Sequence, residues 1–182
     1  SMKFLIVDAG DSYRNTISVE LHRLGFKNIF QSTDATHALL VLEENKIDFI
    51  ICERELPDIS GFDFLKEVRE SYEYPGMPFL MTGKSATRND LVAMAEYEVD
   101  GYVAKPFTLR ILSEKISQCI QHYRNPENIE YLLDQAKFSL TQGKHSEAIK
   151  QFEKLLEKSP NSSRIRVGLA RCYRALNDIQ TA

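Results

Sequence analysis

The chain has 182 residues, 43% of them hydrophobic and 27% charged, with a net charge of −3, a composition that suits a globular protein with one or two buried cores. No apolar run approaches the roughly 18 residues of a membrane span and the N-terminus lacks a signal-peptide layout, so a cytoplasmic protein is expected, with Ser1 ahead of Met2 read as an expression remnant. Residues 1–124 carry a net charge of −5 and residues 125–182 one of +2, neither basic enough to imply nucleic acid; Cys52, Cys119 and Cys172, lacking CxxC spacing, read as buried thiols rather than disulfides or zinc ligands.

In chain order, the first 124 residues alternate short β-rich runs with helical stretches. "KFLIVD" (3–8), "NIF" (28–30), "FIIC" (49–52), "PFLM" (78–81) and "YVA" (102–104) are continuous and apolar, as parallel strands buried on both faces should be. Between them Ile17, Leu21 and Leu24 step at helical spacing and stop at Gly25. Ala35, Ala38, Leu39 and Leu42 do the same, followed by Phe62, Leu65 and Val68, and then by Leu91, Val92 and Ala95. A fifth helix carries Ile111, Leu112, Ile116, Cys119, Ile120 and Tyr123. Five βα units predict an α/β, flavodoxin-like, five-stranded doubly wound parallel sheet over residues 2–124. Functional groups in such sheets gather at the carboxyl ends of the strands.

Asn125-Pro126 reads as a fresh helix start, and strand signals cease beyond it. Ile129, Leu132, Leu133, Ala136 and Leu140 predict one helix, Gly143 a turn, and Ala148, Ile149, Phe152, Leu155 and Leu156 a second helix ending before Pro160. A shift of 34 residues aligns Leu133 with Val167, Ala136 with Ala170, Gly143 with Asn177 and Ala148 with Ala182. Residues 125–182 therefore resemble tetratricopeptide repeats, with Ala136, Gly143, Ala148, Phe152, Pro160, Ala170 and Tyr173 as packing positions. Ser139 and Leu132 depart from that pattern, which usually has an aromatic and a Trp there. One repeat and the first helix of another are present, and stacked repeats need about three units, so a longer array is expected. The resemblance implies a helical surface for a protein partner; a plain helical hairpin is the competing reading.

Three strand ends carry the chemistry: "VDAGDS" after the first, "CERELPDISG" after the third, and "MTGKS" with "AKPF" after the fourth and fifth. With Asp8, an acid at 53, Pro57, Gly61, Thr82, Gly83, Tyr102, Lys105, Pro106 and Phe107 in order, residues 2–124 resemble the receiver domain of bacterial response regulators. In that family an aspartate at position 53 would accept a phosphoryl group from a histidine kinase and acids after the first strand would hold Mg²⁺, since a weak carboxylate nucleophile needs a hard cation to offset the approaching charge. Lys105 and Thr82 would grip phosphoryl oxygens, and Thr82 with Tyr102 would form the switch.

Two positions depart from the family. Glu53 stands where the aspartate would be, and Ala9 replaces the second metal acid, leaving Asp8 for a weak or lost Mg²⁺ site, with Asp11 as a doubtful substitute that an N-cap role explains as well. The extra methylene sets the Glu53 carboxylate about 1.5 Å further out, where a misplacement of about 1 Å can cost around 100-fold in rate. The expectation is a degenerate receiver that is not phosphorylated in the ordinary way. Its Glu53 would meet Lys105, with Thr82 as a second candidate contact, either mimicking the phosphorylated state or filling an old site. The chain reads as a signalling regulator and not an enzyme, with no required cofactor. Its partners would be a protein at the repeats and a histidine kinase or other signalling protein; the Phe107–Ile111 face would serve a homodimer or pack on the repeats. The alternatives are a working phosphoacceptor with weak Mg²⁺ binding, or a flavin-binding or hydrolytic enzyme on the same fold. A flavin would need a first loop rich in Thr, Ser and Gly to cradle its phosphate, whereas "DAGDSYR" places an acid at the wrong end, and Asp8-Ala9-Gly10 is not the Asp-x-Asp of a dehalogenase-like hydrolase.

Overall fold

A computed structural model of the chain describes residues 2–70, 76–125 and 128–180, excluding the side chains of residues 130 and 178–180. The chain divides into two compact units, Ser1–His122 and Tyr123–Ala182.

In the first unit β1 (Lys3–Val7), α1 (Asp11–Arg23), β2 (Asn28–Ser32), α2 (Ala35–Glu44), β3 (Phe49–Glu53), α3 (Gly61–Glu70), β4 (Phe79–Gly83), α4 (Arg88–Glu96), β5 (Gly101–Ala104) and α5 (Leu109–Tyr123) alternate without exception. The strands form one parallel sheet in the order β2-β1-β3-β4-β5. Side chains alternate across each strand, so one apolar run feeds two cores. Leu5, Val7, Ile50, Cys52, Phe79 and Met81 pack with Ala35, Ala38, Leu42, Phe64, Leu65 and Val68 of α2 and α3. On the opposite face Phe4, Ile6, Phe49, Ile51, Leu80 and Val103 pack with Ile17 and Leu21 of α1 and Leu112, Ile116 and Cys119 of α5. The strand order reverses between β1 and β3, and the crevice this opens at their carboxyl ends is where an open α/β sheet places its functional groups.

Two burial expectations fail, one for a strand and one for a helix face. The "NIF" strand is not buried on both sides: β2 lies at the sheet edge, with Asn28 and Gln31 exposed and only Ser32 fully buried. Leu91 and Val92 of α4 face solvent, at 59% and 61% exposure, because the helix turns Ala93 and Met94 inward instead. None of the residues of α4 is fully buried.

The second unit is helical: α6 (Ile129–Thr141), α7 (His145–Lys158) and α8 (Ser163–Gln180). Gly143 takes φ +73° between α6 and α7, a left-handed conformation that costs glycine nothing. Its N–H bonds the Leu140 carbonyl at 3.0 Å, and the Lys144 N–H bonds that of Ser139 at 3.0 Å. Leu133, Ala136, Ala148, Phe152, Leu155, Ile165 and Cys172 form the core. Phe152 packs so closely on α8 that a Cβ added to Gly168 would lie 2.2 Å from its ring. Ala170 and Tyr173 are exposed: α8 meets its neighbours through Ile165, Gly168 and Cys172, so the stripe that aligns with Ala136 of α6 points away from α7. Tyr173 instead donates its hydroxyl to Glu153 at 2.9 Å. Pro160 is exposed after α7, its carbonyl accepting from Arg166 at 2.6 Å. Pro126 and Ala182, which entered the sequence reading, lie outside the described residues.

Candidate functional site

The side chains at the ends of β1, β3 and β5 converge because parallel strands in register end together. Val7 pairs with Cys52, and Glu53 with Thr82 on β4. The next residues, Asp8, Glu53 and Lys105, then face one another. The Lys105 Nζ donates to Asp8 Oδ2 at 2.6 Å and also to Glu53 Oε2, and its ammonium sits 4.0 Å from the centre of the Tyr13 ring, a cation–π contact. The Lys105 side chain is 12% exposed, that of Glu53 12% and that of Asp8 4%. Burial works to lower the Lys105 pKa, but the hydrogen bonds and charges of Asp8 and Glu53 raise it above the ordinary lysine value. The Lys105–Pro106 peptide bond is cis.

The second oxygen of each acid is also engaged. Asp8 Oδ1 accepts the Gly10 N–H at 2.8 Å, and Arg14 donates to the Asp8 carbonyl at 2.6 Å. Glu53 Oε1 accepts the Glu55 N–H at 3.3 Å. Thr82 is fully buried beside this cluster, and its Oγ1 has no hydrogen-bond partner among the described residues; the expected contact of Glu53 with Thr82 is not made. The Tyr102 hydroxyl donates to the Lys84 carbonyl and lies close to the same backbone as Glu53: a Cβ on Gly83 would come within 2.7 Å of that hydroxyl and 3.1 Å of Glu53 Oε1.

The donor set does not suit a divalent cation. An ammonium already bridges the two carboxylates, Ala9 offers no side-chain oxygen, and Asp11 turns away, 82% exposed and paired with Arg14. Asp11 is the first residue of α1 and makes no capping bond, the N-cap being Gly10. Among the described residues no group of three or more His, Cys, Asp or Glu could hold a metal ion. Cys52, adjoining Glu53, is no nucleophile: burial, and then the charges of Glu53 and Asp8, push its thiol well above the usual range.

Sequence reasoning overlooked four contributors. Tyr13 and Arg14 sit on the first turn of α1, which carried no motif. Arg54, beside Glu53, donates to Asp90 at 2.6 Å and Glu55 at 2.8 Å. Asp58, which follows Pro57, caps α2 from 22 residues away. Its carboxylate accepts the Ala35 N–H at 3.1 Å, the Thr36 N–H at 2.8 Å and the Thr36 hydroxyl at 2.9 Å. Burial acts to raise its pKa, but the Thr36 and Ala35 bonds hold it well below the usual carboxylate range.

A five-stranded 2-1-3-4-5 sheet with acid, hydroxyl and lysine at its carboxyl edge defines a receiver domain of two-component signal transduction. The chain belongs to that family: residues 4–117 match the response regulator receiver domain, and residues 139–182 match the tetratricopeptide repeat. The chain is similar to the chemotaxis protein CheY of Pseudomonas aeruginosa, 37% identical over 120 residues that cover 66% of this chain and 97% of that one. It is also similar to chemotaxis protein CheY-3 of Vibrio cholerae, 34% identical over 66% of this chain and 93% of that one. Among solved structures, the chemotaxis response regulator CheY4 of Vibrio cholerae matches with a TM-score of 0.61 at 26% identity, over 65% of this chain and 98% of that one. Proteins of this family are regulatory signalling modules rather than enzymes, and here the receiver is joined to a protein-interaction segment. Among the described residues no helix is long and apolar enough to cross a membrane.

Proposed function

We propose that residues 2–124 act as a receiver that has exchanged phosphoryl chemistry for a fixed internal ion bridge, and that residues 125–182 present a protein partner with a helical surface. The observation that carries this reading is the Lys105 ammonium held between Asp8 and Glu53. In a receiver that turns over phosphate, the lysine must be free to take a phosphoryl oxygen, a cation must neutralise the acids, and the acceptor carboxylate must stand open to in-line attack. Here the lysine neutralises the acids itself, and the carboxylate of Glu53 is bonded at both oxygens.

The bridge supports a static role more than a complete imitation of the phosphorylated state. A full mimic would engage Thr82 as well as Lys105, whereas the Thr82 hydroxyl has no partner among the described residues. Signalling then runs through protein contacts: with a partner at the repeats, and with a histidine kinase or another copy of the chain at the receiver. The experiment is intact mass after incubation with Mg²⁺ and a small-molecule phosphodonor, run beside the double variant Glu53→Asp, Ala9→Asp. The native chain is expected to gain nothing and the double variant to gain one phosphoryl group. Stoichiometric uptake by the native chain would overturn the proposal and restore a conventional phosphoacceptor.

A further inference from the structure

We propose that Arg54 is a positioning residue that clamps the N-terminal end of α4 to the end of β3, so that the surface carrying Leu91 and Val92 is placed by a polar bond rather than by core packing. Three observations carry this. First, α4 has no fully buried residue and exposes Leu91 and Val92, so burial alone offers little to fix its position. At its C-terminal end Tyr97 packs on Phe62, with ring centroids 5.8 Å apart.

Second, the N-terminal end is held by one guanidinium. Arg54, with a side chain 12% exposed, donates through Nη1 to Asp90 Oδ2 at 2.6 Å and through Nη2 to Glu55 Oε1 at 2.8 Å. The planar fork of arginine serves the two carboxylates through two separate nitrogens in a fixed geometry. Asp90 is also the acid of the capping box of α4: its Oδ2 accepts the Thr87 N–H at 2.7 Å and the Thr87 hydroxyl at 2.7 Å, while Thr87 Oγ1 accepts the Asp90 N–H at 3.3 Å. The clamp therefore grips the oxygen that starts the helix.

Third, the anchor itself is rigid. The Arg54 N–H donates to the Thr82 carbonyl at 2.7 Å, and its carbonyl accepts from Gly61 at 2.7 Å. The residue stands between Glu53 and Glu55, and Glu55 in turn pairs with Lys84 at 3.5 Å, whose carbonyl holds the Tyr102 hydroxyl. Position 53 is thus joined to α4 through its own neighbour in the chain, by a route that does not use the Thr82 hydroxyl.

Hydrogen exchange of the full chain tests this, comparing native protein with Arg54→Met, Asp90→Asn and the double variant. Asparagine at position 90 keeps the oxygen that Thr87 and Arg54 share but removes its charge, so the ion pair is weakened while the cap keeps its acceptor. Removing a charged hydrogen bond is expected to speed exchange of the amides of residues 88–96 roughly tenfold, with β3 and β4 unchanged. The double variant is expected to match Arg54→Met rather than multiply the effects of the singles, because both substitutions act on the same charged bond. Unaltered exchange in α4, an equal rise through the whole first unit, or multiplicative effects of the two substitutions would each overturn the proposal. If Arg54→Met does not fold, Asp90→Asn tests the same bond from the α4 side. Phosphoryl uptake plays no part in the readout, so this result stands or falls apart from that of the phosphodonor experiment.

Discussion

Replacing Lys105 with methionine probes the ion bridge most directly. The two acids it neutralises have side chains only 4% and 12% exposed, and their oxygens touch one nitrogen, so they lie no more than about 5 Å apart. At an effective dielectric near 20, two such charges repel by roughly 3 kcal/mol, and removing one partner from a buried ion group costs about 3–5 kcal/mol in general. Exchange of the β3 amides that open only on global unfolding should therefore speed up by roughly 100-fold or more at pH 7. The deficit should narrow in strong base. The Lys105 pKa is raised in the folded chain, so its contribution is complete below the unfolded value of about 10.4 and fades as pH climbs through the folded one. Adding Glu53→Gln to Lys105→Met should recover much of the loss. A Lys105→Met protein within about 1 kcal/mol of native at pH 7, with no dependence on pH, would refute the claim that the lysine is the counter-ion of this site.

Asp58→Ala removes the acceptor of three bonds at the start of α2 and should cost about 1 kcal/mol in urea unfolding at pH 7. Because the folded pKa of Asp58 is depressed, that contribution is present above the unfolded carboxylate value and lost as pH falls through the folded one; native and variant should converge in acid. Gly168→Ala places a Cβ 2.2 Å from the Phe152 ring and should destabilise the helical unit by about 1–3 kcal/mol, seen as faster amide exchange in α7 and α8 but not in the sheet. Tyr173→Phe removes one exposed hydrogen bond to Glu153 and should shift stability by less than about 0.5 kcal/mol; a larger loss would place Tyr173 in the core.

How much of this was legible in the chain follows from what each signal depends on. The strands and the bridge were readable because a short apolar run bounded by Asp8, Glu53 or Lys105 states both where a strand stops and what stands at its end, and parallel register then brings those ends together. Helix faces were less secure. Leu91 and Val92 resemble a buried stripe by spacing, yet periodicity cannot tell a helix packed by its apolar residues from one fastened by a polar clamp. The Arg54–Asp90 bond that settles the matter spans 36 residues and leaves no local pattern. A 34-residue shift matches residue types but not neighbours: Ala136 is buried in one cluster with Ala148 and Phe152, whereas Ala182, the counterpart of Ala148, lies outside the described residues. Gly168, which carried no motif, is the position where the second helix pair is most tightly constrained, since Phe152 fills the space a side chain would need. Asp58 escaped in a similar way, because a carboxylate after proline satisfies its own turn as readily as a distant helix. Local pattern thus located the groups that end strands, while the groups that join one element to another became visible only once the chain was folded.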